Sequence, residues 1–347
     1  MPLKPFSHAD AYQVLWLQLA DEGRIETLLG DNAKQARTAA LPFLLGEKFP
    51  SVYLEIPLKG KPFLDVTVLY NRIEPDARIL SDAAAGTERL LDWCASSVPQ
   101  VDDISFGFEL DTHEQKLPQA AVHFQPRRHL ELVEPFCAAA GESEKAHLYL
   151  DLAKRMPSGW DLSFFGLFRG RPDSPLRVCG YLSQPEKDAC SLDPNHLASV
   201  FDEIGFSAYD DDMLEQASEL LAKTPKDCDF QFDVYPDGSL GDTFAIDSQL
   251  RIEQPKALLE SLEHGALAEL INVFEKWGTV DDRWRIAADA AFARALPVEL
   301  EDGSLGRFSL TLLPHWVKTR WRNGVLQPAK LYYLASADLF EEPESSK

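Results

Sequence analysis

The sequence predicts an α+β protein built on an antiparallel barrel of ten strands that is surrounded by helices. Segments rich in β-branched and aromatic residues occur in pairs joined by polar turns, which is typical of β-hairpins. Stretches with helical periodicity separate these pairs, and the alternation occurs five times in 347 residues. A parallel sheet would place single strands between helices, so paired strands favour an antiparallel sheet. Ten strands can close without free edges and leave room for a ligand.

The first part of the chain carries a helical region and two hairpins. Helical spacing of apolar residues is found within 8–47, and the strands "SVYLEIPL" and "PFLDVTVLYNRI" follow on either side of the turn "KGKP". Thr87 is a suitable N-cap for a helix over "GTERLLDWCASSV". The second hairpin pairs "DISFGFEL" with "QAAVHFQPR".

Three further hairpins complete the predicted barrel, with helices between them. The third joins "DLSFFGLFRG" to "SPLRVCGYLS", and the fourth lies within "DFQFDVYPDGSLGDTFAIDSQL", where Pro236, Asp237 and Gly238 favour a turn. A helix is predicted over "DRWRIAADAAFARAL". The fifth hairpin pairs "RFSLTLLPHWV" with "AKLYYLAS", and "KTRWRNGVLQP" is predicted to connect them.

Composition bounds the domain organisation, location and partners. No linker divides the chain, so residues 1–340 are expected to form one domain, and the acidic segment 341–347 a flexible tail. The net charge of −22 argues against nucleic acid and anionic membranes as partners, although solubility alone also explains it. No secretion signal or membrane span is recognisable. Five scattered cysteines without a CxxC motif predict a cytoplasmic protein.

Three stretches resemble a known family. "YLEIPLKGKPFLDVTVLY", "LSFFGLFRGRPDSPLRVCGYLS" and "AKLYYLAS" are similar to the first, third and last barrel segments of ABBA-type aromatic prenyltransferases. Within that group, the cyanobactin peptide prenyltransferases are the most similar. The resemblance implies a PT barrel with helices outside and substrates inside. It also implies transfer of a prenyl group from an allylic pyrophosphate to a peptide side chain or a small aromatic acceptor, with Mg²⁺ as the one cofactor to consider.

The resemblance also implies roles for individual residues. Glu55 corresponds to the catalytic glutamate of the first barrel strand. The residues expected to face the pyrophosphate are Lys330, Tyr332, Arg177, His123 and Tyr181. From the sequence alone these positions have a second interpretation, since strand faces alternate and charged side chains usually face water. Each of them is then a surface or structural residue.

Several positions depart from the pattern that the resemblance implies. No basic residue lies close to Thr67, and none replaces Ala121 or Gln125. The fourth hairpin carries Asp233, Asp242 and Asp247, and it has no lysine or arginine between residues 230 and 250. A pocket with few cations favours an alternative function, a non-catalytic barrel that binds a peptide or an apolar ligand. In either case the lumen is expected to be less negative than the outer surface, because most acids must be solvated.

Overall fold

The computed structural model describes most of the chain and confirms the predicted barrel. The described residues are 12–17, 28–43, 51–70, 87–97, 105–110, 120–126, 128–169, 174–225, 228–250, 252–253, 255–299 and 303–341. The predicted tail lies outside them except for its first residue. The division of the chain into one domain and a tail therefore stays a prediction.

Twelve strands are described, and ten of them form a closed antiparallel ring. The strands are β1 (Ser51–Pro57), β2 (Asp65–Tyr70), β3 (Ser105–Leu110), β4 (Ala121–Gln125), β5 (Trp160–Leu167), β6 (Leu176–Leu182), β7 (Cys228–Val234), β8 (Leu240–Gln249), β9 (Phe292–Glu299), β10 (Leu305–Arg322), β11 (Val325–Leu326) and β12 (Lys330–Glu341). The order around the ring is β10, β12, β1 to β8, and pairing of β8 with β10 closes it. Closure leaves the ring without a free edge.

Helices lie between the hairpins along the chain, as the sequence predicted. Those with assigned bounds are α1 (Ala33–Ala40), α2 (Glu88–Ser97), α3 (Val133–Ala140), α4 (Ala146–Arg155), α5 (Gln184–Leu192), α6 (Pro194–Ile204), α7 (Asp211–Lys223), α8 (Pro255–His264), α9 (Ala266–Trp277) and α10 (Arg283–Ala290). Residues 12–17 are also helical, and short 3₁₀ turns cover Leu41–Phe43, Leu130–Leu132 and Ser143–Lys145. None of the helices in these ranges is long and apolar enough to cross a membrane.

Strand β10 is longer than predicted, so the connection in the fifth hairpin is shorter than predicted. The segment 318–322 was predicted to be part of a connection, but it belongs to the strand and pairs with β8. The first half of β10 pairs instead with β9, which lies outside the ring. The pairing register shifts between Pro314 and Trp316. Proline has no N–H to donate to the ladder, which explains its place at an irregularity.

Two helix predictions were too long. The predicted helix over 282–296 ends at Ala290, because residues from Phe292 onward pair with β10 as strand β9. Within 8–47, a turn interrupts the helical region at 29–32, where Gly30 has a φ of +83°. A positive φ suits glycine, which has no Cβ.

The hydrophobic core lies between the outer face of the ring and the helices. Strand β1 shows the pattern, since Val52, Leu54 and Ile56 are fully buried while Tyr53 and Glu55 on the other face are half-buried. Alternation of side chains along a strand therefore separates an apolar outer face from a polar inner one. Aromatic side chains pack the helices against the ring. Phe136 of α3, for example, stacks on Phe124 of β4 with the ring centroids 4.3 Å apart.

Candidate functional site

The inner faces of the ten ring strands surround a cavity of about 600 Å³. Each ring strand contributes at least one side chain to its lining. All six residues predicted to serve the site line this cavity: Glu55, His123, Arg177, Tyr181, Lys330 and Tyr332. The structure therefore excludes the interpretation in which the charged members of this set simply face bulk solvent. Their roles in a reaction remain predictions.

Lys330 and Tyr332 flank Glu55 on the inner wall. Tyr332 lies opposite Glu55 in the antiparallel pairing of β12 with β1, and the Lys330 ammonium donates a hydrogen bond to the Glu55 carboxylate. Burial opposes the charged form of Glu55, but the neighbouring Lys330 and Lys318 outweigh it and lower the pKa of that carboxyl. Burial, together with the Glu55 and Asp247 charges, raises the pKa of Tyr332. Glu55 is thus ionised and Tyr332 neutral near pH 7.

The extended end of β10 adds two cations that the sequence analysis missed. Lys318 and Arg320 point into the cavity, and Lys318 Nζ lies 3.3 Å from Asp247 Oδ2, 3.0 Å from Gln231 Oε1 and 5.3 Å from the Tyr332 ring centroid. Arg320 makes no side-chain hydrogen bond or ion pair within the described part of the chain. Strand alternation was visible in "WVKTRW", but the residues from Lys318 onward were predicted to be a connection.

The outward residues of this segment show why it is a strand. Val317, Thr319 and Trp321 are fully buried on the outer face of the ring, while the charged residues between them face the lumen. Alternating burial of a β-branched pair and an aromatic residue is the period-two pattern of a barrel strand. That pattern was the signal that could have placed both cations in the cavity.

Two further ion pairs lie on the opposite wall. His123 Nε2 is 2.9 Å from Glu109 Oε2, and Arg177 Nε is 3.3 Å from Asp233 Oδ1. Burial opposes the charged form of Glu109, but its hydrogen bond to His123 and the nearby positive charges hold the pKa of this carboxyl below its ordinary value. The Arg177 guanidinium also lies 4.4 Å from the Phe168 ring centroid, a cation–π distance.

The acids of the fourth hairpin divide between the cavity and the outside. Asp247 lines the cavity, Asp233 pairs with Arg177, and Asp242 pairs with the exposed Arg322 at 3.1 Å. Asp229, which the sequence analysis did not single out, lies directly opposite Asp247 in the pairing of β7 with β8 and also lines the cavity.

A single row of paired residues runs from cations to anions across five neighbouring strands. Adjacent members of the row are register partners. In order from β12 to β6, the row contains Lys330, Lys318, Asp247, Asp229 and Tyr181. The lumen therefore has a basic wall on β10 and β12 and an acidic wall on β7 and β8.

The cavity is nearly neutral although the protein is strongly acidic. Its described lining holds five carboxylates and four Lys or Arg side chains, a net charge of −1 with histidine neutral, against −22 for the whole chain. The lumen is thus less negative than the outer surface, as expected. Aromatic rings fill much of the remaining wall, and Trp316 stacks on Tyr53 with centroids 4.8 Å apart and lies 5.6 Å from Tyr332.

Comparison with solved structures identifies the architecture. The structure of 5-dimethylallyltryptophan synthase from Streptomyces coelicolor is similar, with a TM-score of 0.53 over 96% of this chain and 98% of that chain, at 13% identity. The chain has the ABBA, or PT-barrel, fold. The same enzyme in complex with DMASPP and Trp gives a TM-score of 0.51 at 14% identity, with 96% of each chain covered. No protein-family model and no curated protein matches the sequence.

The expected resemblance to ABBA-type prenyltransferases is therefore confirmed at the level of the PT-barrel fold. At identities of 13–14%, the likeness shows the fold alone. The function of the lumen depends on the side chains that line it.

Proposed function

We propose that this protein transfers a prenyl group from an allylic pyrophosphate to an acceptor inside the barrel. The observation that supports it most is the convergence of Lys330, Lys318, Arg320 and Arg177 on one cavity that also holds aromatic rings and an ionised glutamate. Binding a pyrophosphate of roughly three negative charges in a shielded cavity needs several cations, and these four provide them. A barrel for purely apolar ligands has no need of them.

The pyrophosphate binds against the basic wall of β10 and β12. Lys318 and Lys330 are register partners, so their side chains enter the cavity side by side. Both are already neutralised by carboxylates, Asp247 and Glu55. Pyrophosphate binding therefore exchanges existing ion pairs for new ones. Before the pyrophosphate binds, neither lysine is a buried charge without a partner.

The allylic carbon is activated when its bond to the pyrophosphate oxygen breaks and the electron pair leaves with the pyrophosphate. Positive charge then develops on the allylic group, and negative charge develops on the departing pyrophosphate. Cations on the basic wall stabilise the leaving group. The faces of Tyr53, Trp316 and Tyr332 stabilise the allylic cation by cation–π attraction and keep water away from it.

Glu55 completes the transfer as the base. The nucleophilic atom of the acceptor forms a bond to the allylic carbon, and the proton it loses passes to the Glu55 carboxylate. The lowered pKa of Glu55 keeps it ionised at neutral pH, and Lys330 holds it in place. The resemblance implied a catalytic role for Glu55, and the base is the form of that role proposed here.

The carboxylates engaged by lysine or histidine do not fit the Mg²⁺ that the resemblance implied. Glu55, Glu109 and Asp247 are engaged by Lys330, His123 and Lys318, so fewer of their oxygens are available for the near-octahedral coordination that Mg²⁺ requires. Within the described residues, the one group of three potential metal ligands lies outside the barrel, on α5 and α6: Glu186, Cys190 and His196. No step of the proposed reaction uses a metal.

The acceptor is proposed to be an aromatic compound or a peptide side chain. The similar solved enzyme is named for tryptophan, and its complex contains Trp. A cavity of about 600 Å³ can hold a prenyl group together with one aromatic side chain. The proposed location is cytoplasmic, which agrees with five buried cysteines that form no disulfide.

Incubation with labelled dimethylallyl or geranyl pyrophosphate and a panel of aromatic compounds and peptides tests this function. We expect a prenylated product together with released pyrophosphate. A matched preparation of Glu55→Gln should form little product. If the wild-type protein forms none with any acceptor but binds the acceptors, the alternative of a non-catalytic binding barrel replaces prenyl transfer.

A further inference from the structure

The acidic wall of the lumen has no part in the proposed transfer. Asp229 and Asp247 are register partners on the neighbouring strands β7 and β8, and both line the cavity. Two carboxylates on one wall of a closed cavity repel each other, and both are more than nine-tenths buried. Such an arrangement destabilises the fold unless something positive lies against it.

The chain itself compensates this pair only in part. Lys318 reaches Asp247 Oδ2 at 3.3 Å, but Asp247 Oδ1 is buried without a hydrogen-bond partner. Asp229 Oδ1 is also buried and unpartnered, and the Asp229 carboxyl makes no hydrogen bond or ion pair within the described residues. Burial and the charge of Asp247 raise the pKa of Asp229 to about 8. One lysine is therefore shared between two carboxylates.

Aromatic rings stand next to the acidic pair. Tyr181 is the register partner of Asp229 on β6. Tyr53 lines the same cavity as Tyr181 and Asp229. Burial, followed by the charge of Asp229, raises the pKa of Tyr53. Trp316 stacks on Tyr53. Carboxylates combined with aromatic faces are the usual environment for a cationic nitrogen group, which gains from ion pairing and cation–π attraction together.

We propose that Asp229 and Asp247 form an acidic subsite that binds a positively charged nitrogen group of the acceptor, a guanidinium or an ammonium. This inference rests on the proposed function, because it names the chemical class of the acceptor. The subsite neighbours the basic wall in the register row, so an acceptor anchored by its cation lies beside the bound allylic pyrophosphate. Specificity for cationic acceptors follows, since a neutral acceptor leaves the two carboxylates uncompensated.

Two matched pairs of ligands test the subsite without any allylic pyrophosphate. Tryptamine and tryptophol differ by an ammonium in place of a hydroxyl, and N-acetyl-arginine amide and N-acetyl-citrulline amide differ by a guanidinium in place of a urea. Binding is measured by titration calorimetry. We expect the cation of at least one pair to bind about tenfold to a hundredfold more tightly than its neutral partner. The pair that shows the larger difference identifies the cation.

Variants connect that preference to the subsite. Asp229→Asn and Asp247→Asn should each abolish most of the preference, while Glu203→Gln, a change of an exposed acid on α6, should leave it unchanged. Thermal unfolding of each variant verifies that it is folded. Because no pyrophosphate is present, the result does not depend on whether prenyl transfer occurs.

Three results overturn the proposal. The first is equal binding of cationic and neutral members in both pairs. The second is a preference that persists in both aspartate variants. The third is binding of Mg²⁺, added as MgCl₂, that is lost in Asp229→Asn and competes with tryptamine or arginine amide, because the pair is then a metal site.

Discussion

The two walls of the lumen carry opposite charges although one row of paired backbone residues joins them. On β12 and β10 the row presents Lys330 and Lys318, and on β8 and β7 it presents Asp247 and Asp229. Both lysines of the basic wall are compensated, since Glu55 pairs with Lys330 and Asp247 with Lys318. The acidic wall is not, because Asp229 has no ion-pair partner among the described residues. The difference indicates two binding sites of opposite preference in one cavity.

The two walls also differ in how their charged residues affect the stability of the protein. Ion pairs on the basic wall keep buried lysines charged at little net cost. The uncompensated acid of the other wall costs stability whenever it is ionised, and such costs are often found where a ligand binds. Removal of a paired lysine from the basic wall should therefore lower the stability of the ligand-free protein, and removal of Asp229 from the acidic wall should raise it.

The largest effect is expected from Glu55→Gln. An amide cannot accept the proton of the acceptor, so the transfer rate should fall by roughly a hundredfold to ten-thousandfold. Glu203→Gln serves as the control because it removes an acid from the outer surface. Product formation from labelled dimethylallyl pyrophosphate measures the rate. An unchanged rate in Glu55→Gln would remove this residue from the chemistry.

Lys318→Met should lower the stability of the folded protein, because Lys318 joins the basic wall to Asp247 of the acidic wall. It leaves Asp247 and Asp229 without their shared cation, and a buried charge without a partner costs about 3–5 kcal/mol. Both carboxyls can take up protons, so the loss should be smaller at pH 5 than at pH 8. Urea unfolding at the two pH values measures it. A loss that does not depend on pH would show that Lys318 does not compensate these acids.

Arg320→Gln tests pyrophosphate binding by the basic wall separately from stability, because Arg320 has no ion-pair partner to lose in the described structure. Its removal should weaken pyrophosphate binding by about tenfold to a hundredfold, the value of one charge-assisted contact, without lowering the melting temperature. Calorimetry with inorganic pyrophosphate and a thermal melt provide the two quantities. Normal affinity in this variant would place the pyrophosphate away from the end of β10.

Asp229→Asn is expected to stabilise the protein at pH 8, where the buried carboxyl of the wild type is partly ionised. The pKa of Asp229 is about 8 in the folded protein, which is above its ordinary value. Between about pH 4 and pH 8, the native protein therefore keeps a proton that the unfolded chain has already lost. Stability of the wild type should decline across this window, and the variant should lack that part of the decline. The charged or titratable groups around Asp229 are Asp247, Lys318, Tyr181, Tyr53, Cys179 and Cys228.

Urea unfolding of both proteins at pH 5 and pH 8 measures the difference. A purely structural aspartate behaves in the opposite way, since its replacement removes a favourable contact. Destabilisation by Asp229→Asn at pH 8 would contradict the claim that Asp229 is uncompensated in the ligand-free protein and binds a cationic ligand.

Much of the fold could be predicted because its signals are local. Hairpin turns and strand alternation lie within short segments, and they indicated the closed ten-stranded ring. Strand β9 was missed because "AFARAL" consists of good helix formers, and only its pairing with β10 makes it extended. The end of β10 was missed because residues 318–322 were assigned to a connection, and only their pairing with β8 shows that they continue the strand.

The site could be predicted only in part, because its pairings depend on register. The face of β1 that carries Glu55 follows from the apolar alternation of Val52, Leu54 and Ile56. That Asp229 lies opposite Asp247 depends on the length of the fourth hairpin and on a register shift between Phe232 and Val234. A single irregular residue moves every later pairing, and nothing in the sequence marks where this irregularity falls.

The central claim is that the basic wall binds an allylic pyrophosphate, and binding of a thiolo analogue tests it most directly. Dimethylallyl S-thiolopyrophosphate should bind the wild-type protein, and Lys330→Met should weaken binding by about tenfold to a hundredfold. Tyr332→Phe should have a smaller effect, because it removes one neutral hydroxyl. Thermal melts should show both variants folded. Failure of the analogue to bind, or equal affinity in the wild type and folded Lys330→Met, would contradict the account.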